Sequence, residues 1–183
     1  MKRTPILLLF FMAIAALCVA TVNTGCGVYS FADVSVPDSV KTVRINFIEN
    51  KARYVNPQLS PQLTERLRQK IVNQTRLTQT NNDNVHWDVT GYVSDYSVTT
   101  SAISSGQAGG TGRNQQAAVT NRLTVSVHLT VNNRLSNTAQ ELDVSRSFDF
   151  DANLSLQAAE SRLLDEILRN MTDDLFNRMF SNW

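Results

Sequence analysis

The sequence predicts an α+β fold: a two-layer sandwich in which a four-stranded, mostly antiparallel sheet carries two helices on one face, in the order strand, helix, strand, strand, strand, helix. Three patterns predict it. Leu123, Val125, Val127, Leu129 and Val131 alternate strictly with Arg122, Thr124, Ser126, His128 and Thr130, the period of a half-buried strand. Leu59, Leu63, Leu67 and Ile71 recur at helical spacing. A wider apolar stripe runs from Leu156 through Leu163, Leu164, Ile167, Leu168, Met171, Leu175, Phe176 and Met179 to Phe180. Full burial of each such side chain contributes roughly 1.5–3 kcal/mol before entropy. Stripes of both kinds bury one another in two layers around one core.

The chain opens on a segment to be excluded from the fold. Lys2 and Arg3 form a cationic start, Pro5–Ala20 an apolar run, and Thr21–Gly25 lead to Cys26. This is a secretory signal over residues 1–25. A small residue directly before a cysteine, at the end of such a run, resembles the lipobox of bacterial lipoproteins, although Asn23 stands where an apolar residue is usual. The resemblance implies a diacylglyceryl thioether on Cys26, removal of the leader and acylation of the new amine with fatty chains such as palmitate. Each buried methylene contributes about 0.8 kcal/mol, so three chains hold a protein on a membrane where one does not. An ordinary signal peptide that leaves a free cysteine is the alternative. Gly27 after Cys26, rather than Asp, favours sorting to the outer membrane by the same resemblance.

Residues 26–40 read as a tether, with a turn at Pro37-Asp38, and residues 41–183 as one domain. In Lys41–Ile48, Val43, Ile45 and Phe47 point one way and Thr42, Arg44 and Asn46 the other, the first strand. Asn56-Pro57 and Ser60-Pro61 are two candidate starts for the first helix, each placing a capping side chain before a proline; the helix runs to about Gln74. Asn81–Asn84 marks a turn. Val85, Trp87, Val89 and Val93 line the second strand, with Tyr92 and Tyr96 on the other register, which places a bulge near Gly91. Residues 101–118 hold four of the chain's seven glycines and predict a flexible loop, long enough for a hairpin connection to mark it as functional. Val119–Val131 is the third strand and Asn132–Gln140 a turn. Leu142, Val144, Phe148 and Phe150 line the fourth strand, where Arg146 interrupts the apolar register and suggests a bulge or an edge. Asn153 or Ser155 caps the last helix.

Composition excludes several function classes. Two of the 17 Lys+Arg lie in the leader and 16 Asp+Glu balance the rest, so charge gives no argument for nucleic acid. Arg outnumbers Lys 13 to 4, which suits anionic partners or structural ion pairs. With Cys26 acylated, no pair of cysteines remains for a disulfide or a metal. His86 and His128 fall on the polar register of strands with no specified partner. Asp149 and Asp151 share a strand face and Asp173-Asp174 lie on a helix, the pattern of solvated carboxylates rather than an acid/base pair. The glycine-rich loop lacks the Gly-Lys-Ser/Thr of a phosphate-binding loop and the spacing of a dinucleotide fold. No cofactor and no enzyme activity is expected. Arg44, Arg122 and His128 on strands, with Lys51, Arg53 and Arg113 in loops, belong either to a solvated Thr/Ser-laced sheet face or to an anion-binding one.

Cys26-Gly27-Val28-Tyr29-Ser30-Phe31, Val43-Arg44-Ile45-Asn46-Phe47, Val55-Asn56-Pro57, Asp95-Tyr96-Ser97-Val98, Asn121-Arg122-Leu123-Thr124-Val125 and Phe180-Ser181-Asn182-Trp183 follow one another in this order. The ordered set resembles the LptE family of lipopolysaccharide-assembly lipoproteins in the form seen in Bacteroidetes. The resemblance implies an outer-membrane lipoprotein facing the periplasm, which plugs and helps assemble the LptD β-barrel and assists lipopolysaccharide delivery to the outer leaflet. It implies the same two helices on four strands, with the loop at residues 101–118 projecting into the barrel. The contact candidates are Arg113 and Arg122, with Ser104, Gly109 and Gln115 in the loop; Cys26 is the lipidation site. The alternative is a free-standing envelope lipoprotein that binds glycan or glycolipid or serves as a pilotin for a secretion channel.

Overall fold

The computed structural model describes residues 36–102 and 119–180. The signal, Cys26, most of the tether and the central loop lie outside the described residues. Eight elements follow in order: β1 Thr42–Ile45, β2 Glu49–Asn50, α1 Leu59–Gln74, β3 Thr78–Gln79, β4 Trp87–Ala102, β5 Val119–Asn133, β6 Thr138–Asp151 and α2 Leu156–Phe180. The α+β class and the two helices are as expected. The sheet is not four-stranded: it has six strands, in the order β3-β1-β4-β5-β6 with β2 beside β4. It is also mixed. β4, β5 and β6 are antiparallel, whereas β1 and β2 run parallel to β4 and β3 runs parallel to β1. The crossover through α1 returns the chain to the end where it started, which makes the flanking strands parallel. β2 and β3 span two residues each, too few for any period to register in the sequence.

The first strand breaks where continuity was expected. Ile45 pairs with Val89, but Glu49 pairs with Tyr92, so β1 and β2 are out of step by one residue against β4. Asn46 holds the step: its backbone N–H and its amide both donate to the Val89 carbonyl, at 2.9 Å each. A one-residue slip exchanges faces. Phe47, expected inside with Val43 and Ile45, is therefore 52 % exposed, and Ile48 takes its place in the core at 1 %. The Ile48 N–H donates to Thr64 Oγ1 on α1 at 3.1 Å, which ties the step to the helix layer.

α1 begins at Leu59, and neither candidate cap acts as one. Asn56 Oδ1 accepts from the Gln58 N–H at 2.9 Å, an Asx turn ahead of the helix. Ser60 is buried inside the first turn, and Pro61 sits where its missing N–H costs no helical bond. In β4 the bulge falls at Ser94, between Val93↔Val127 and Asp95↔Ser126, not at Gly91. It returns Tyr96 to the inner face beside Val93, where Tyr96 is 2 % exposed. Gly91 serves another purpose: a Cβ there would lie 2.3 Å from Leu129 Cδ2 and 2.6 Å from the His128 carbonyl oxygen.

β5 alternates from Leu123 to Val131 as predicted, and β6 joins it through Arg134–Asn137, with Asn137 in the left-handed region at φ 52°. β6 is an edge strand with no bulge. Its inward Arg146 is bound bidentately by Asp174 of α2. Ser155 caps α2, its hydroxyl accepting from the Ala158 N–H at 3.3 Å. The inner sides of β1, β4, β5 and β6 share one hydrophobic core with Leu63, Leu67 and Ile71 of α1 and Ile167, Leu168, Met171 and Leu175 of α2. No helix among the described residues is long and apolar enough to cross a membrane.

Candidate functional site: the open face of the sheet

The helices occupy the inner face of the sheet, so function must be sought on the other. The period of two that buries Leu123 to Val131 turns Arg122, Thr124, Ser126, His128 and Thr130 outward. Their neighbours on β6 complete transverse rows. Thr124 and Ser147 share a hydroxyl hydrogen bond at 3.0 Å, Ser126 and Ser145 another at 2.8 Å. Arg122 donates twice to Asp149, Nε to Oδ1 at 2.7 Å and Nη2 to Oδ2 at 2.9 Å. That contact holds the guanidinium above and the Asp149 carboxyl below their ordinary ranges. His128 Nδ1 lies 2.9 Å from Asp143 Oδ1. The face is laced with Ser and Thr, and Arg122 is already matched to a carboxylate.

At the β1 end the pairing is tighter. Arg44 donates Nε to Asp88 Oδ1 at 2.9 Å and Nη2 to Oδ2 at 2.7 Å. Arg134 Nη2 adds 2.7 Å to Oδ2, and the Asn46 amide 2.8 Å to Oδ1. The Arg44 bonds, chiefly, hold the Asp88 carboxyl well below the carboxylate range, against the opposing effect of burial. Arg44 also reaches Asp83 at 3.0 Å. It is therefore committed to structure and does not present a free cation to an anionic ligand.

Between these ends lies a shallow groove of about 480 Å³ whose walls include Asn46, Phe47, Lys51, Tyr92, His128 and Thr130. The Lys51 ammonium sits 4.6 Å from the centre of the Tyr92 ring, and Tyr92 lies 5.2 Å from the His128 ring. The groove exists because the step at Asn46 turns Phe47 outward. Behind it, Tyr96 and Tyr54 donate their hydroxyls to buried Glu160 at 2.8 and 3.3 Å, and their rings stack at 5.5 Å. Burial first, and then contact with Glu160, raises both phenols, so they remain donors. This cluster fastens the Lys51–Asn56 connection to α2.

Of the residues singled out from the sequence, Arg122 is on the open face near the strand ends that lead into the central loop, and it is ion-paired. Cys26, Ser104, Gly109, Arg113 and Gln115 lie outside the described residues. His86 and His128 do not meet. His86 Nδ1 accepts from the Lys41 N–H at 2.9 Å, while His128 faces Tyr92, farther along β4. Asp173 accepts from Lys70 at 2.7 Å. No group of three or more His, Cys, Asp or Glu able to hold a metal occurs among the described residues. Sequence reasoning missed the Asp88 hub and the Phe47–Tyr92 groove. The first depends on a parallel pairing across the helix crossover, the second on the one-residue step; neither leaves a local signal.

The arrangement suits non-covalent contact: hydroxyl rows, matched charges and one aromatic-walled groove. The family model for LptE, lipopolysaccharide-assembly, matches residues 40–179, nearly the whole of the packed body just described. The chain belongs to the LptE family. This LptE-family chain also aligns with a minor lipoprotein from Acinetobacter baumannii at 10 % identity and TM-score 0.47, over 77 % of this chain and 93 % of that one. A lipoprotein from Neisseria meningitidis aligns at 9 % identity and TM-score 0.41, over 73 % and 99 %. Comparison with curated protein sequences gives no match. The family assignment rests on the match over residues 40–179.

Proposed function

We propose that this chain is an outer-membrane lipoprotein, anchored by lipid on Cys26 and facing the periplasm, that seats in an LptD-type β-barrel, supports its assembly and assists lipopolysaccharide delivery. The family match over the packed body carries the reading. The leader ending at Gly25-Cys26 supports the anchor. The open face supports a role by fitting, since its hydroxyls pair in rows and Arg122 is bound bidentately by Asp149. The role of the central loop inside the barrel, with Ser104, Gly109, Arg113 and Gln115 as contacts, is part of the same proposal.

Two measurements on native membranes test it. Mass spectrometry of the mature N-terminus is expected to find an acylated Cys26. Mild-detergent purification is expected to bring down a large outer-membrane barrel, whose level falls when this chain is depleted. An unmodified Cys26 removes the anchor. Purification of the lipoprotein without a barrel removes the plug and leaves a free-standing glycan-binding lipoprotein or a pilotin.

A further inference from the structure

Among the described residues the sheet ends on a long strand whose outer side has no partner. β6 closes the strand order, and among the described residues no strand pairs with its outer edge. Every second one of its 14 residues therefore turns its N–H and C=O away from β5, a template for another extended chain. Edges of this kind are ordinarily blunted by Pro, by charged side chains (Lys above all), by a bulge or by an inward charge; the outward charges of β6 are all acidic, so they repel an acidic strand and not a basic one. β6 contains neither Pro nor Lys, and its register with β5 runs unshifted from Thr120↔Asp151 to Asn133↔Thr138. The inward charge is present as Arg146, but its guanidinium is drawn onto α2 by Asp174. Beside the edge, a cleft of about 440 Å³ opens between β6 and α2, lined by Asp143, Val144, Ser145, Asp174, Asn177 and Arg178.

The side chains select the occupant. On its open-face register β6 presents Glu141, Asp143, Ser145, Ser147, Asp149 and Asp151, with no basic residue among them. Asp149 and Asp143 are engaged by Arg122 and His128 of β5, but a second copy of β6 laid antiparallel about Arg146 would set Glu141 against Asp151 at both ends, and like charges directly opposite are destabilising. A parallel copy in register repeats the conflict. We propose that the β6 edge takes, by strand addition, an extended segment of a different protein whose alternate residues are Lys or Arg over the open face, with short side chains toward the Val144–Asn177 cleft. The backbone ladder supplies affinity and the carboxylates supply selection. The proposal rests on the strand edge and stands apart from the lipopolysaccharide reading, so its test uses neither lipopolysaccharide nor barrel.

The probe is a synthetic peptide alternating Lys and Thr, long enough to run along β6, titrated by fluorescence anisotropy into the full mature protein in detergent. Amide hydrogen exchange is followed in parallel. Saturable binding with slowed exchange confined to β6 is expected. Glu141→Lys/Asp143→Lys, two exposed sites, weakens binding roughly tenfold by turning attraction into repulsion, with an unchanged thermal midpoint as the folding control. N-methylation of every second peptide amide, which keeps the charge and removes the ladder donors, abolishes binding. Absence of saturable binding, equal binding by the N-methylated peptide or by a Glu-Thr peptide, or slowed exchange elsewhere than β6 each overturns the proposal.

Discussion

Two arginine–aspartate pairs of the same bidentate geometry close opposite ends of the sheet. At the β1 end, Arg44 and Asp88 have side chains only 19 % and 11 % exposed, and Asp88 is held by Arg134 and Asn46 as well. At the other end of β5, Arg122 and Asp149 are 51 % and 50 % exposed and, among the described residues, hold only one another. The contact distances are alike; the surroundings are not. A pair removed from water leaves a costly charge when one partner is lost, whereas water replaces an exposed one. The closed end therefore maintains the fold. The open end can lose either partner without endangering the core.

The difference sets an order of mutational effects. Asp88→Ala removes the acceptor shared by Arg44, Arg134 and Asn46, and is expected to destabilise by about 3 kcal/mol, read as a denaturation midpoint shift at constant slope. A loss indistinguishable from that of Arg122→Ala would erase the distinction between the two ends. Gly91→Ala is expected to cost about 2 kcal/mol, because the new methyl meets the Leu129 side chain and the rigid His128 carbonyl. Retention of the wild-type midpoint would show that β4 and β5 separate easily there.

Acid sharpens the comparison. The folded-state pKa of Asp88 is depressed by Arg44. Its contribution is therefore complete above the ordinary carboxylate value near about 4 and is lost as pH falls through the lower folded value. Wild-type stability is expected to decline with acidification below about pH 4, and more shallowly in Asp88→Asn. Parallel profiles would assign the decline to other carboxylates. The smallest effect belongs to Arg122→Ala: an unchanged thermal midpoint, with any loss appearing in barrel co-purification instead. A substantially lowered midpoint would make Arg122 a structural residue.

Long elements were legible because burial imposes a period on them. The alternation of β5 and the stripe of α2 each repeat many times, so a single interruption does not obscure them. Arg146 was read as a sign of a bulge or an edge, and of the two it is the edge that the structure has, since a charge on an inner register needs a rim or a partner. Phe47 was misread for the opposite reason: the strand before it is too short for its alternation to reveal the step at Asn46. The bulge at Ser94 was placed three residues early because Tyr92 and Tyr96 were taken to share one register, with Gly91 just before them. That glycine answers instead to close approach by Leu129, a contact between strands that no local window contains.

By itself the sequence determined which residues turn inward along β5, β6 and both helices, because that choice follows from side-chain polarity at a fixed backbone period. It thereby determined the α+β class and the position of the open face. Only the tertiary structure decided that the flanking strands run parallel, that Arg44 and Arg134 share Asp88, and that Phe47 faces outward onto a groove. These depend on the register between segments distant along the chain, set by the crossover through α1 and by hydrogen bonds from Asn46, and register between strands is a property of pairs that no single segment encodes.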